Sequence, residues 1–213
     1  MPSLKAVLRE IKNELKEKDK VRQNAQNAMR KATSLSKQAI LLVHQNKTKE
    51  AQKFIGKAKG KIEELDKTSE KHPEIIYGGM FSAALQEYAE ANIFLKLFEE
   101  SKFVTPKEIG VPSVDYVLGL ADVIGEYRRS ALDALREGDV EKGENCLQIM
   151  DEIYIELMAL DEAYMLVTGL RRKCDVARKI IEITRGDITQ EIRRTALEKH
   201  LARLEKTVKK HRL

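Results

Sequence analysis

The sequence predicts an all-α protein, and three observations carry that reading. Apolar residues recur at spacings of three and four along nearly the whole chain, the period of one helix face. Of 213 residues only 4 are Pro and 11 are Gly, too few for frequent turns. Aromatic residues make up 5% of the chain and Trp is absent. A β-sandwich would need a turn signal roughly every 8–12 residues.

Seven helices follow from the pattern. Leu4, Val7, Leu8, Ile11 and Leu15 open a stripe that continues through Ala25, Ala28, Met29, Ala32, Leu35, Ala39, Leu42 and Val43 without Pro or Gly. This predicts one long N-terminal helix over 4–45, well beyond the average of about three turns. Gln45 to Thr48 interrupts it, and a second helix runs over 49–70 with Ala51, Phe54, Ile55, Ala58, Ile62 and Leu65 inward. His72-Pro73 ends that helix, because the residue before Pro disfavours the helical region. A third helix spans 74–101. Thr105-Pro106 and Gly110-Val111-Pro112 mark a loop. Pro112 or Ser113 opens a fourth helix that ends near Gly138. Asp139 is the expected N-cap of a fifth, over 140–167. Gly169 precedes a sixth, to 184. Arg185-Gly186-Asp187 reads as a turn before a seventh that reaches the C-terminus. No repeat and no long linker divides the chain, so 1–213 reads as a single helical-bundle domain.

Composition excludes several classes. No run reaches the ~18 apolar residues of a membrane span, and the N-terminus carries no signal-peptide core. Cys146 and Cys174 are far apart and fit neither a disulfide framework nor a zinc site. They point to small core residues in a reducing, cytoplasmic setting. The net charge of +5 is unevenly placed. Residues 1–60 carry 15 Lys/Arg against 5 Asp/Glu, residues 171–213 carry 14 against 6, and the middle carries 10 against 23. Basic ends attract phosphate, whereas an acidic centre repels it unless its carboxylates hold metal ions. Solvated helix faces of differing charge would give the same arithmetic.

The acidic centre contains a pattern. On the third helix, Met80, Ala83, Glu87, Glu90 and Phe94 fall on one stripe, so two carboxylates share an otherwise apolar face. On the fourth, Asp115, Gly119, Asp122 and Glu126 share a stripe, beside Leu118 and Gly125. Consecutive helices joined by a short loop pack antiparallel, which lets Glu87, Glu90, Asp122 and Glu126 converge. Carboxylates in a partly dry site must protonate, find a base or bind a cation. The one basic residue a turn further along the fourth-helix stripe is Arg129. Oxygen donors suit Mg2+, Mn2+ or Ca2+, and such clusters serve phosphodiester cleavage. A solvated or lysine-paired face remains the alternative at this point. A di-iron bundle requires Glu-x-x-His pairs, and none of His44, His72, His200 and His211 has a Glu three residues before it. The two Cys have no nearby His, and no Gly-rich phosphate loop occurs.

LQEYAEA at 85–91 and VDYVLGLADVIGE at 114–126 resemble the translin family, and within it the branch of translin-associated factor X (TRAX). A weaker match, GLRRKCDVARKIIEITRGDI at 169–188, helps extend the resemblance over 4–200. It implies a seven-helix fold that assembles into hollow octamers binding single-stranded RNA or DNA. It also implies Mg2+-dependent endoribonuclease activity inside that shell, with Mn2+ as a substitute. Carried over by position, the catalytic, metal-holding carboxylates are Glu87, Glu90 and Asp122, with Glu126 as a fourth that ligates or orients the attacking water. The translin branch lacks the full acidic set. A short loop at 102–111 and a nearly absent N-terminal extension depart from eukaryotic TRAX, and point to a compact, homo-oligomeric, prokaryotic relative.

On this reading RNA runs along basic residues near the site: Lys71 and His72 first, before the catalytic helix, then Arg22, Arg30, Arg128 and Arg129. Few aromatics argue against base stacking as the mode of recognition, so binding should be weakly sequence-specific and strongly salt-dependent. Two other functions compete. A non-catalytic, translin-type binder of single-stranded RNA or DNA would use the carboxylates structurally. A helical scaffold would dock through its long first helix and show no salt-dependent RNA affinity.

Overall fold

A computed structural model describes residues 3–76 and 79–210. Every regular element among them is helical: α1 Leu4–His44, α2 Thr48–Ser69, α3 Pro73–Ile76, α4 Gly79–Glu100, α5 Pro106–Ile109, α6 Ser113–Arg136, α7 Val140–Met158 and α8 Leu170–Lys210, with a 3-10 turn over Asp161–Met165. The all-α expectation and its long first helix therefore hold. No helix among the described residues is long and apolar enough to cross a membrane. The chain divides into two compact units, 1–119 and 120–213, and the division falls inside α6 rather than in a linker.

In the first unit α1 packs along both α2 and α4. Ala32, Ala39, Ala51, Ala58 and Ala84 are fully buried, and their small side chains let the helix axes approach closely. The α1–α2 turn closes with Asn46 in the left-handed region (φ 58°). There the Lys47 N–H donates to Leu42 O at 2.9 Å, so a carbonyl at the end of the helix is satisfied. The loop before α6 holds its own single turn. Thr105 and Glu108 form a reciprocal capping box, and Gly110 at φ 68° ends it, a conformation that favours glycine.

The stripe at the start of α1 stays uncovered. Leu4 is 74% exposed, and Leu8, Ile11 and Leu15 are also exposed. Burial on α1 begins only at Ala25. The far end of α8 behaves alike, with Leu197, Leu201, Leu204 and Val208 exposed. Each of these helix ends thus leaves an apolar stripe exposed among the described residues.

In the second unit α7 packs along α8. Asp139 caps α7 as expected, accepting from the Lys142 N–H at 3.0 Å. Gly143 permits the close approach to α6, since a Cβ there would meet Leu135 at 3.1 Å. Two boundaries differ from expectation. The fifth helix stops at Met158 rather than 167, passing through the 3-10 turn to Gly169 at φ 92°. The expected turn at 185–187 does not exist, because α8 is continuous there. Glycine inside a helix costs only about 1 kcal/mol, and its neighbours outweigh that. Thr184 and Ile188 are buried on either side. Arg185 donates to both Asp151 oxygens at 2.8 Å, and Asp187 pairs with Arg128 at 3.4 Å.

A stability prediction follows from that continuity. A Cβ at Gly186 would meet nothing within 4 Å. Gly186→Ala should stabilise the chain by roughly 0.5–1 kcal/mol, raising the melting temperature by about 1–4 °C. An unchanged or lower midpoint in a thermal circular-dichroism scan would contradict an unbroken α8.

Candidate nucleic-acid and metal site

In the first unit α4 carries Glu87 and Glu90 one turn apart. The stripe that holds them grades from open to buried. Met80 and Ala83 are exposed, Glu87 is half-buried, Glu90 is 7% exposed and Phe94 is closed off. The face is therefore not uniformly apolar core, because its N-terminal half borders a groove. That groove, of about 510 Å3, lies between α1 and α4. Leu41, Met80 and Ala83 form its apolar part, with Arg30 and Lys37 on the α1 side. Lys37 Nζ lies 3.2 Å from Glu87 Oε1, although the lysine is 63% exposed.

Gly119, in the first half of α6, sits directly against α4. A Cβ built on it would lie 2.6 Å from Gln86 O, 2.9 Å from Ala89 Cβ and 3.0 Å from Glu90 N. Only glycine permits this backbone-to-backbone contact. One turn earlier Asp115, 7% exposed, accepts from the Ser82 hydroxyl and from Gln86 Nε2 at 3.5 Å. Asp115 thus clamps the start of α6 onto α4. It also lines a separate cavity of about 410 Å3 with Asp66, Phe81 and Leu85, and burial, helped by Glu63, raises the Asp66 carboxyl above its usual range.

In the second unit α6 carries Asp122 and Glu126, both half-buried. Lys173, near the start of α8, donates to Asp122 Oδ2. That pair lines a groove of about 380 Å3 between α6 and α8, together with Arg172 and Gly125. Gly125, unlike Gly119, has open space where a Cβ would stand.

The basic candidates divide by environment. Arg30 borders the α1/α4 groove. Arg22 is exposed and held by Asp19 at 2.7 Å. Lys71 is exposed in the turn before α3, and His72 is half-buried with Nδ1 at 3.8 Å from Glu74. Arg128 points into its own unit, donating to Thr184 Oγ1 at 2.7 Å and pairing with Asp187. Arg129 is exposed. The thiols are core residues as expected. Both are buried, and burial pushes Cys146 up to about 11, which suits packing and not nucleophilic attack.

Lys37 and Lys173 were not legible in the sequence. Each meets its carboxylate from another helix, at a separation that no spacing rule reports. Glu87 and Asp122 therefore do find bases, but not on their own stripes.

Residues 20–208 match the family model described as the Translin family. The chain belongs to the translin family. It is 33% identical over 195 residues to the uncharacterized protein MJ0175 of Methanocaldococcus jannaschii, covering 91% of this chain and 86% of that protein. Among solved structures it is similar to AfC3PO, at 34% identity and TM-score 0.75, over 86% of this chain and 96% of that one. It is also similar to AfC3PO in its complex with duplex RNA, at 33% identity and TM-score 0.75, over 86% and 95%. Apo-NeC3PO shares the fold, at TM-score 0.77 and 23% identity, over 89% and 100%.

The donor chemistry of this translin-family chain fits a hard cation. The candidate carboxylates Glu87 and Glu90 on α4, and Asp122 and Glu126 on α6, offer oxygen, the ligand of Mg2+ and Mn2+. Two of them already hold an ammonium group, so their positions attract positive charge. Among the described residues no three His, Cys, Asp or Glu side chains stand as a ready-made cage.

Proposed function

We propose that this chain is a TRAX-like member of the family: a Mg2+-dependent endoribonuclease that binds and cleaves single-stranded RNA within a homo-oligomeric shell, in the cytoplasm. The observation that carries the reading is Glu90. It is a carboxylate kept almost dry on α4, beside a glycine of α6 that no larger residue can replace. Glu87, Glu90 and Asp122 would hold the cation, with Glu126 as the fourth carboxylate. When bound, the divalent cation supplies Lewis-acid activation and charge stabilisation at a scissile phosphate. The chain's own residues do the rest. Gly119 and Asp115 fix α6 against α4, so the Glu90 backbone cannot drift. Arg30 and Lys37 present positive charge along the α1/α4 groove, which favours a phosphate backbone there. RNA as ligand is supported by the 33% identical relative solved with duplex RNA. An oligomeric shell, an octamer by family resemblance, is supported by the uncovered stripes of α1 and α8.

A second reading has its own support. Lysine-paired Glu87 and Asp122 suit a translin-type binder whose carboxylates are structural. One assay separates the two. Purified protein is incubated with labelled single-stranded and duplex RNA, in Mg2+ and in EDTA. The nuclease reading expects single-strand cleavage in Mg2+ and none in EDTA. RNA bound equally in both, with no cleavage in either, would leave the binder. Light scattering that finds a stable 24 kDa monomer would exclude the shell.

A further inference from the structure

One face of α1 lines the α1/α4 groove at helical spacing, with Arg30, Thr33, Ser34, Lys37, Gln38 and Leu41. Along that face the order is cation, hydroxyls, cation. Thr33 and Ser34 stand one turn after Arg30 and one turn before Lys37, about 5 Å along the axis from each. Among the described residues no carboxylate and no aromatic ring lines the groove, and α4 contributes Met80 and Ala83. The middle turn has hydrogen-bonding capacity to spare. Gln38 Nε2 donates to Ser34 O at 3.1 Å and to Ser34 Oγ at 3.0 Å. Those bonds fix the amide and leave its Oε1 as an acceptor, while Ser34 keeps its own O–H to donate. The half-buried Thr33 hydroxyl has no hydrogen-bond partner among the described residues.

We propose that this groove holds a nucleotide of the RNA strand with its ribose between Arg30 and Lys37, and that Thr33, Ser34 and Gln38 read the 2′-hydroxyl and so select RNA over DNA. This rests on the reading of the α1/α4 groove as the RNA-binding surface. A ribose within a strand carries a phosphate on either side, which matches a hydroxyl pair flanked by two cations. Its 2′-hydroxyl both donates and accepts, and is the group by which a protein tells RNA from DNA. The Thr33 and Ser34 hydroxyls can donate to it, and Gln38 Oε1 can accept from it. Lys37 uses one donor on Glu87 at 3.2 Å and retains others for a phosphate oxygen. The base is left to the apolar wall of Leu41, Met80 and Ala83, which has no strong hydrogen-bonding group to read its edge. Selection is therefore by sugar and indifferent to sequence.

The test uses the full chain in EDTA, so that binding is read without cleavage. Fluorescence anisotropy measures the affinity for three labelled strands of one length: oligouridine, oligodeoxyuridine and 2′-fluoro oligouridine. Wild type should bind the ribo strand about tenfold more tightly than the deoxy strand, the effect of one or two net hydrogen bonds. The 2′-fluoro strand keeps the ribo-type sugar pucker without the hydroxyl, and should bind like the deoxy strand. Thr33→Val combined with Ser34→Ala should bring the ribo strand down to the deoxy affinity and leave the deoxy affinity as it was. Gln38→Met should lose part of the preference. Arg30→Met and Lys37→Met should weaken both strands alike, each lowering the salt slope by about 0.7. Equal ribo and deoxy affinity in wild type overturns the proposal. So does a 2′-fluoro strand bound like the ribo strand, which makes the preference one of strand shape. A double variant that keeps the preference, or that weakens both strands equally, overturns the reading of the sugar by these hydroxyls. If neither Arg30→Met nor Lys37→Met weakens binding, the strand lies outside this groove and the proposal falls. Each of these results leaves the nuclease reading to its own cleavage assay, and only a wild type that binds no RNA overturns both.

Discussion

Replacing Asp122 with asparagine, or Glu90 with glutamine, will cut RNA cleavage in Mg2+ by at least about a hundredfold. Loss of a residue that merely orients a metal ligand typically costs 10–100-fold, and these two are proposed as ligands. Both changes preserve shape, so the loss should come without unfolding. Asp122→Asn gives up an ion pair whose partners are 40% and 28% exposed, a contribution of about 1 kcal/mol or less at such exposure. Glu90→Gln replaces a carboxylate that is 7% exposed by an amide of the same size, which is easier to keep dry. Affinity for RNA in EDTA should hold or rise in both, because each variant removes a negative charge. Cleavage by either variant at the wild-type rate would sink the assignment of that carboxylate. Loss of binding together with cleavage would point instead to a structural role.

Gly119→Ala will lower the melting temperature by about 6–12 °C. The added methyl would meet Gln86 O at 2.6 Å, Ala89 Cβ at 2.9 Å and Glu90 N at 3.0 Å. None of these is the free end of a side chain. All belong to the α4 backbone or to a Cβ fixed on it, so relief requires α6 to move away from α4. Overpacking of this kind costs about 1–3 kcal/mol and sometimes more. The rigid partners place this site at the upper end, and each kcal/mol is worth roughly 2–4 °C for a chain of this size. Gly125→Ala is the control. It lies on the same helix with nothing within 4 Å, and should be neutral or slightly stabilising. A Gly119→Ala protein that melts with wild type would mean that α4 and α6 are not in contact there. If the contact is as tight as the geometry says, the variant should also lose cleavage beyond its loss of stability, because the displaced backbone carries Glu90.

The contrast between Gly119 and Gly125 shows what a sequence can and cannot say about a site. Gly119 lies on the acidic stripe of α6 and Gly125 beside it, and the helix period alone does not say which of them meets a neighbouring backbone. The stripe spacing placed Glu87 with Glu90 and Asp122 with Glu126, because a helix repeats its faces whatever its neighbours are. It gave no account of Lys37 or Lys173, which reach their carboxylates from other helices. Lys173 and Asp122 are 51 residues apart. It also treated Arg128 and Arg129 alike, although Arg128 is engaged by Thr184 and Asp187 while Arg129 is exposed. The resemblance of the two helix motifs points to four carboxylates, and the structure adds that two of these, Glu87 and Asp122, each meet a lysine from another helix.

By itself the sequence determined that the chain is helical, where most helices start and stop, and which carboxylates share a face. Those outcomes depend on residues within about four positions of one another: the apolar period, the Asp139 cap, the Thr105–Glu108 box, and glycines at positive φ such as Gly110 and Gly169. Tertiary structure decided the rest. It carried α8 straight through Gly186, because buried Thr184 and Ile188 and the Arg185–Asp151 bridge outweigh one glycine. It left the apolar start of α1 open, because helix periodicity marks a face without saying what covers it. It gave Asp122 a lysine, because the field at a carboxylate is set by whichever helix packs beside it.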